Sequence, residues 1–271
     1  RDRGYLIKKG KDKNMPKQFA ECYLMNSYNV PIKEKTDTKR RNNGLMKEYI
    51  HGGDIYRHPD VLDYSANINP LGTPPGGIRA AKDSMERVCH YEQVPVEWLI
   101  CGNGAAELIF ALVQAVKPKR ALVLAPTFAE YAQALEAVGC EVNREILKKE
   151  DGFTLQDRIL DRLQKEDLQM VFLCNPNNPT GILMNPKLLR QIVTLCEKRQ
   201  IHLVVDECFL DFVPEPEVHT LKGELKGKKY LFLLKAFTKR YAMAGLRLGY
   251  GITSGETLMT QIEAQLQPWN V

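Results

Sequence analysis

Short, continuously apolar runs separated by segments of helical periodicity constrain this chain more than any other feature. The runs lie at 98–101, 121–124, 170–174, 202–205 and 230–234, and helices are expected near 76–90, 104–117, 128–138, 155–165 and 186–199. A strand that is apolar without alternation is covered on both faces, so the pattern predicts an α/β fold with a largely parallel sheet and crossover helices. Ligands of such sheets gather beyond the carboxyl ends of the strands. The residues that follow each run are therefore the ones to read for chemistry.

Composition narrows the class without naming a partner. A chain of 271 residues that is 44% hydrophobic and 26% charged has the make-up of a globular protein, and neither a disordered chain nor a disulfide miniprotein fits it. The net charge of +5 is unevenly spread. Residues 1–50 hold 13 Lys/Arg against 6 Asp/Glu, whereas 51–271 hold 25 against 27. The N-terminal 50 residues read as a basic, solvated arm; acids interleave with the lysines and no nucleic-acid motif accompanies them. The seven cysteines, Cys22, Cys89, Cys101, Cys140, Cys174, Cys196 and Cys208, form no C-x-x-C pair, and metal-ligand spacing is absent. A reducing, cytoplasmic setting is expected. The most apolar long window, 98–116, is interrupted by Gly102, Asn103, Gly104 and Glu107 and is not a membrane span. No secretory signal opens the sequence, and its start without Met suggests a trimmed chain.

Four strand ends carry unusual residues. Gly102-Asn103-Gly104-Ala105-Ala106-Glu107 follows the first run and leads into a helix, where freed backbone amides can approach an anion. The same glycines also suit a plain turn, and the segment is neither a P-loop nor a full dinucleotide fingerprint. Asn175-Pro176-Asn177-Asn178-Pro179-Thr180-Gly181 follows the third run; it is a turn cluster whose Asn side chains can also bind a ligand. Asp206-Glu207 ends the fourth, and a carboxylate there needs a cationic partner or solvent. After the fifth come Thr238-Lys239 and, further on, Arg247. A lysine between apolar segments suits Schiff-base chemistry if desolvated, although Lys235 and Arg240 also allow a surface basic cluster.

In this order, with Phe128 after Pro126-Thr127, the segments resemble those of pyridoxal-phosphate enzymes of the aspartate-aminotransferase fold. Within that superfamily the chain is most similar to the threonine-phosphate decarboxylases of cobalamin synthesis. His51-Gly52-Gly53, the stretch from Asp63 to Gly72, Pro126-Thr127-Phe128-Ala129-Glu130-Tyr131 and the terminal Gln267-Pro268-Trp269-Asn270-Val271 carry that likeness. It covers about residues 51–271 and implies a lyase with pyridoxal 5'-phosphate as cofactor. Lys239 would hold the cofactor and shuttle a proton, and Asp206 would pair with its ring nitrogen. Asn178 would bond the ring's phenolic oxygen and Phe128 would stack on the ring. Amides of Gly102, Asn103 and Gly104 with Arg247, and Thr238 beside the lysine, would hold the phosphate end. His51, Gly52, Asn67 and Asn178 would meet the substrate, L-threonine O-3-phosphate, whose decarboxylation gives (R)-1-amino-2-propanol O-2-phosphate. A homodimer is implied; a membrane or a nucleic acid is not.

The expected division is a basic arm over 1–50, a segment over 51–95 contributing to the substrate site, and an incomplete cofactor-binding large domain over 96–271. The departures from the family pattern are specific. Ala236 stands where a serine usually helps hold the phosphate, and Phe209 where many relatives carry tyrosine. Tyr91 runs directly into Glu92 where the family inserts a turn and a helix. The small C-terminal domain, with the arginines that clamp the substrate, is expected to be missing. Fold alone does not choose the reaction. The readings to be weighed against decarboxylation are a histidinol-phosphate aminotransferase-like transaminase and a truncated, inactive fragment.

Overall fold

A computed structural model describes residues 6–8, 61–63, 85–241 and 247–267. The chain divides into two compact units, 1–67 and 68–271. In the first, β1 (Leu6–Lys8) pairs antiparallel with β2 (Val61–Asp63). The rest of the expected basic arm lies outside the described residues, as do His51, Gly52 and Asn67.

The second unit alternates strands and helices. In chain order it contains α1 (Met85–Glu92), β3 (Leu99–Asn103), α2 (Ala105–Val116), β4 (Arg120–Ala125), α3 (Ala129–Ala137), β5 (Glu141–Ile146) and α4 (Arg158–Lys165). There follow β6 (Met170–Cys174), α5 (Pro186–Arg199), β7 (His202–Asp206), α6 (Pro216–His219), β8 (Leu231–Ala236), α7 (Phe237–Arg240), β9 (Leu248–Ile252) and α8 (Glu256–Glu263). Seven strands form one sheet in the order β3-β9-β8-β7-β6-β4-β5. Strands β5, β4, β6, β7 and β8 run parallel, while β9 runs antiparallel to both β8 and β3.

Period-two alternation sorts each central strand between two cores. Val171, Leu173, Leu203, Val205, Leu231 and Leu233 face the side covered by α4 and α5. Met170, Phe172, Val204, Phe232 and Leu234 face the side covered by α2, α3 and α8. Both sides being apolar is what made these strands read as continuous runs, and each fully buried Leu or Phe contributes about 1.5–3 kcal/mol. Helix α5 shows how local chemistry fixes an element. Asn185 caps it, its Oδ1 accepting from Lys187 N at 2.8 Å, and Pro186 suits the first turn. Gln200 ends the helix in the left-handed region at φ 58°.

Two strands depart from the expected pattern. β5 is an edge strand whose two apolar residues, Val142 and Ile146, are separated by polar and charged ones, so it has no apolar run. Its Glu145 is held by Arg158 at 2.7 Å and Arg162 at 2.8 Å, and these charges blunt an otherwise open edge. β9 is rich in glycine, which weakens strand propensity, and its glycines answer to close approaches. A Cβ on Gly251 would land on the Phe232 ring. One on Gly249 would strike Ala105 N and lie 2.5 Å from the Gly104 carbonyl carbon. Both of the latter atoms are backbone and cannot swing aside, so Gly249→Ala should destabilise the fold by about 1–3 kcal/mol, readable as a lowered denaturation midpoint.

His202 begins β7, at the end opposite the site, and burial lowers its pKa to about 4, with Glu197 pulling it back up. The unfolded chain takes up this proton near pH 6.5 and the folded chain only near 4. Stability is therefore lost as pH falls through that window, by about 2–3 kcal/mol. His202→Gln should flatten the acid limb of the stability curve between pH 6.5 and 4 in urea titrations.

Candidate active site

The ends of β7 and β8, with the turns after β3 and before β9, bring the key residues to one rim of the sheet. Asp206 closes β7 and is 5% exposed. Its Oδ2 accepts from Tyr131 Oη at 2.6 Å and its Oδ1 from Cys208 N at 2.9 Å. Both oxygens are thereby aimed, and a buried carboxylate is made tolerable. Tyr131 is itself fully buried on α3 and stacks on Phe172 at 4.9 Å. Burial, then the neighbouring Asp206, push the Tyr131 hydroxyl far above its ordinary range, so it remains a donor. Phe128, three residues earlier, meets the Tyr131 ring edge-on at 5.5 Å.

Lys239 sits on α7, just beyond β8, with its Nζ 5.7 Å from the centre of the Phe209 ring. Burial draws its ammonium below the usual lysine range and Arg247 adds to the effect, while Cys208, Asp206 and Glu130 oppose it. Thr238 beside it is buried.

At the far side of the rim, the Arg247 guanidinium lies over Gly104. A Cβ on that glycine would meet Arg247 Nη2 at 2.8 Å, and Gly104 stands at φ 85°. Arg247 itself adopts φ 51°, a strained setting of the kind that accumulates at functional sites. The amides differ here from the sequence expectation. Asn103 N donates to Glu107 Oε2 at 2.6 Å and Gly104 N to the Gly102 carbonyl at 2.7 Å, while Gly102 lies in the ladder with Gly249. The turn thus uses these groups to hold itself. The amides of Ala105 and Ala106, the first residues of α2 and without intrahelical acceptors, stand next in line to meet an anion.

Asn178 is half-buried and its backbone approaches the Cys174 thiol. Its neighbour Asn177 ties the loop together, donating to the Pro126 carbonyl at 3.1 Å and accepting from Thr127 Oγ1 at 2.9 Å. Sequence reasoning assigned no role to Tyr131, Asn177 or Cys208. Only the i, i+3 spacing of Phe128 and Tyr131 could have placed the tyrosine on the helix face that meets Asp206.

The family description "Aminotransferase class I and II" matches residues 68–271. The chain belongs to the class I and II aminotransferases. It is 40% identical over 244 residues to threonine-phosphate decarboxylase of Salmonella typhimurium, covering 82% of this chain and 66% of that protein. It is 31% identical to histidinol-phosphate aminotransferase of Desulfotalea psychrophila, over 80% of this chain and 61% of that one. The solved histidinol-phosphate aminotransferase of Clostridium acetobutylicum superposes with a TM-score of 0.67 at 30% identity, covering 77% of this chain and 65% of the other. The chain thus spans just under two thirds of these relatives. As a class I and II aminotransferase it takes pyridoxal phosphate as cofactor. The donor set fits that group: a desolvated lysine amine, an oriented carboxylate, an aromatic ring, and a guanidinium over a helix start.

Proposed function

We propose that this chain carries the cofactor-binding domain of a pyridoxal-phosphate-dependent lyase that decarboxylates L-threonine O-3-phosphate to (R)-1-amino-2-propanol O-2-phosphate, for cobalamin synthesis. The carrying observation is the 40% identity to a threonine-phosphate decarboxylase, against 31% to a histidinol-phosphate aminotransferase. When bound, pyridoxal phosphate supplies an electron-accepting ring that allows the bond between the substrate's α-carbon and carboxylate to break.

The chain's own residues do the rest. Lys239 Nζ would hold the cofactor and supply a proton, for which a lowered pKa suits it. The Asp206 carboxylate, aimed by Tyr131 and Cys208, would pair with the ring nitrogen. Phe128 would pack against the ring, and Asn178 would bond its phenolic oxygen. Arg247 and Thr238, with the turn that starts at Gly102, Asn103 and Gly104 and the following amides of Ala105 and Ala106, hold the phosphate end. Ala236 contributes no hydroxyl there. By the family resemblance, His51, Gly52, Asn67 and Asn178 would meet the substrate. Residues 96–271 serve as the large domain, 51–95 contribute to the substrate site, and 1–50 remain a basic arm.

Among the described residues no helix is long and apolar enough to cross a membrane. We place the protein in the cytoplasm as a homodimer. The test is incubation of the protein with pyridoxal phosphate and L-threonine O-3-phosphate: carbon dioxide and aminopropanol phosphate are expected. Consumption of histidinol phosphate and 2-oxoglutarate instead would make it a transaminase.

A further inference from the structure

Behind the rim, on the opposite face of the sheet, lies a set of buried charges that the chemistry above does not use. Asp206 joins the Tyr131 side, so the next residue, Glu207, turns to the other. Lys235 and Tyr250, directly paired across β8 and β9, turn the same way. Glu92, the last residue of α1, links them: its Oε1 lies 3.3 Å from Lys235 Nζ and accepts the Tyr250 hydroxyl, and its Oε2 lies 3.1 Å from Lys222 Nζ. Lys235 Nζ is 3.8 Å from Glu207 Oε2, and the Glu207 carboxylate also accepts from Thr220 Oγ1 at 2.7 Å and Leu221 N at 2.8 Å. Glu92 and Glu207 are each 2% exposed and Lys235 8%.

Two carboxylates and two ammonium groups balance in this set. Apolar side chains of the same volume would stabilise the fold as well or better, because burying ions costs more than their attraction returns unless geometry is the gain. A small cavity of about 10 Å³, room for about one water, is lined in part by Glu207, Cys208, Lys235 and Tyr250 beside the set. What the ions supply is direction. Glu207 follows Asp206; Lys235 precedes Lys239 at the end of β8; Tyr250 follows Arg247 on β9. Each of the three strand ends that presents a cofactor-facing residue is fastened from behind by one member of the set.

We propose that Glu207, Lys235 and Tyr250, joined through Glu92, are positioning residues that hold Asp206, Lys239 and Arg247 in register with one another. The inference rests on the reading of those three as cofactor-facing. Its test compares Lys235→Met, Lys235→Arg and the double variant Glu207→Gln/Lys235→Met. The last removes the fastening yet leaves Glu92 paired with Lys222, so no buried charge is stranded. Three quantities are read on the whole protein: the denaturation midpoint, the affinity for pyridoxal phosphate, and the titration of the Lys239 amine. The last is followed in the cofactor-free protein by pH-dependent acetylation and peptide mass spectrometry.

Lys235→Met is expected to lower the denaturation midpoint and the cofactor affinity and to raise the Lys239 titration. The double variant should regain stability while its cofactor affinity stays on the order of tenfold weaker. Its Lys239 amine should titrate higher, toward an ordinary lysine, as water reaches the loosened site among Asp206, Cys208, Glu130 and Arg247. Lys235→Arg should restore the wild-type titration. If affinity and titration recover together with stability in the double variant, or never change, the set is structural and the proposal falls. Should the wild-type protein not bind pyridoxal phosphate, the reading of the site fails, and the amine titration alone decides the positioning role.

Discussion

Lys239→Ala is expected to abolish covalent capture of pyridoxal phosphate. Borohydride treatment of the wild-type protein should fix the cofactor to one peptide, the one spanning Phe237–Arg240, and the variant should give none above the background of surface lysines. The selectivity has a physical origin. Burial lowers the Lys239 pKa, so near neutral pH a larger share of this amine is unprotonated than of any solvated lysine, and only the unprotonated form attacks a carbonyl. Turnover should fall by several orders of magnitude, since the group proposed to hold the cofactor is also the one proposed to handle the proton. Fold stability should hold or rise slightly, because removing a desolvated cation relieves its burial. Capture that maps elsewhere, or survives in the variant, would place the chemistry on another residue.

Asp206→Ala is the second large effect. It removes the acceptor of two buried donors, Tyr131 Oη and Cys208 N, and each stranded donor costs about 1–3 kcal/mol. It also removes the charge proposed to face the cofactor ring, so turnover should drop on the order of 10³-fold, as for loss of a preorganised electrostatic group. Tyr131→Phe separates the two causes. It keeps the charge and deletes a single charge-assisted hydrogen bond, so a loss of about 10- to 100-fold in turnover is expected, from the 1.5–3 kcal/mol of such bonds. Steady-state kinetics over saturating cofactor, with thermal melts of each variant, measures both. Equal losses in the two variants would show that the hydrogen bond, and not the charge, carries the function of Asp206.

The parallel centre of the sheet was legible because β6, β7 and β8 are buried on both faces and advertise it as unbroken apolar runs. The edge strand β5 and the antiparallel β9 were not. The first mixes charge into every turn of its pleat, and the second uses glycine where tertiary contact leaves no room for a side chain. The site divides along the same line. Asp206 and Lys239 stand at strand ends next to apolar runs, so position alone made them conspicuous. Tyr131 and Cys208 matter through a partner 75 residues away and two residues away respectively, and nothing local distinguishes such a tyrosine from any other core aromatic. In the turn, Glu107 folds back onto Asn103, a choice between side-chain capping and ligand binding that sequence leaves open. The charges behind the sheet were invisible for a similar reason. Glu92 and Tyr250 meet only across 158 positions of chain.

The place of β3 has a consequence for biosynthesis. As the outermost strand it has a single neighbour, β9, with Leu99 opposite Ile252. That ladder closes a loop of ~150 residues, a long-range contact of the kind that forms late. Until β9 has left the ribosome, the turn after β3 has no partner strand and Arg247 cannot reach Gly104. On the proposed reading, the Arg247 part of the phosphate end is therefore completed last, and a nascent chain halted before Leu248 would display Asp206 and Lys239 before the guanidinium is seated over Gly104.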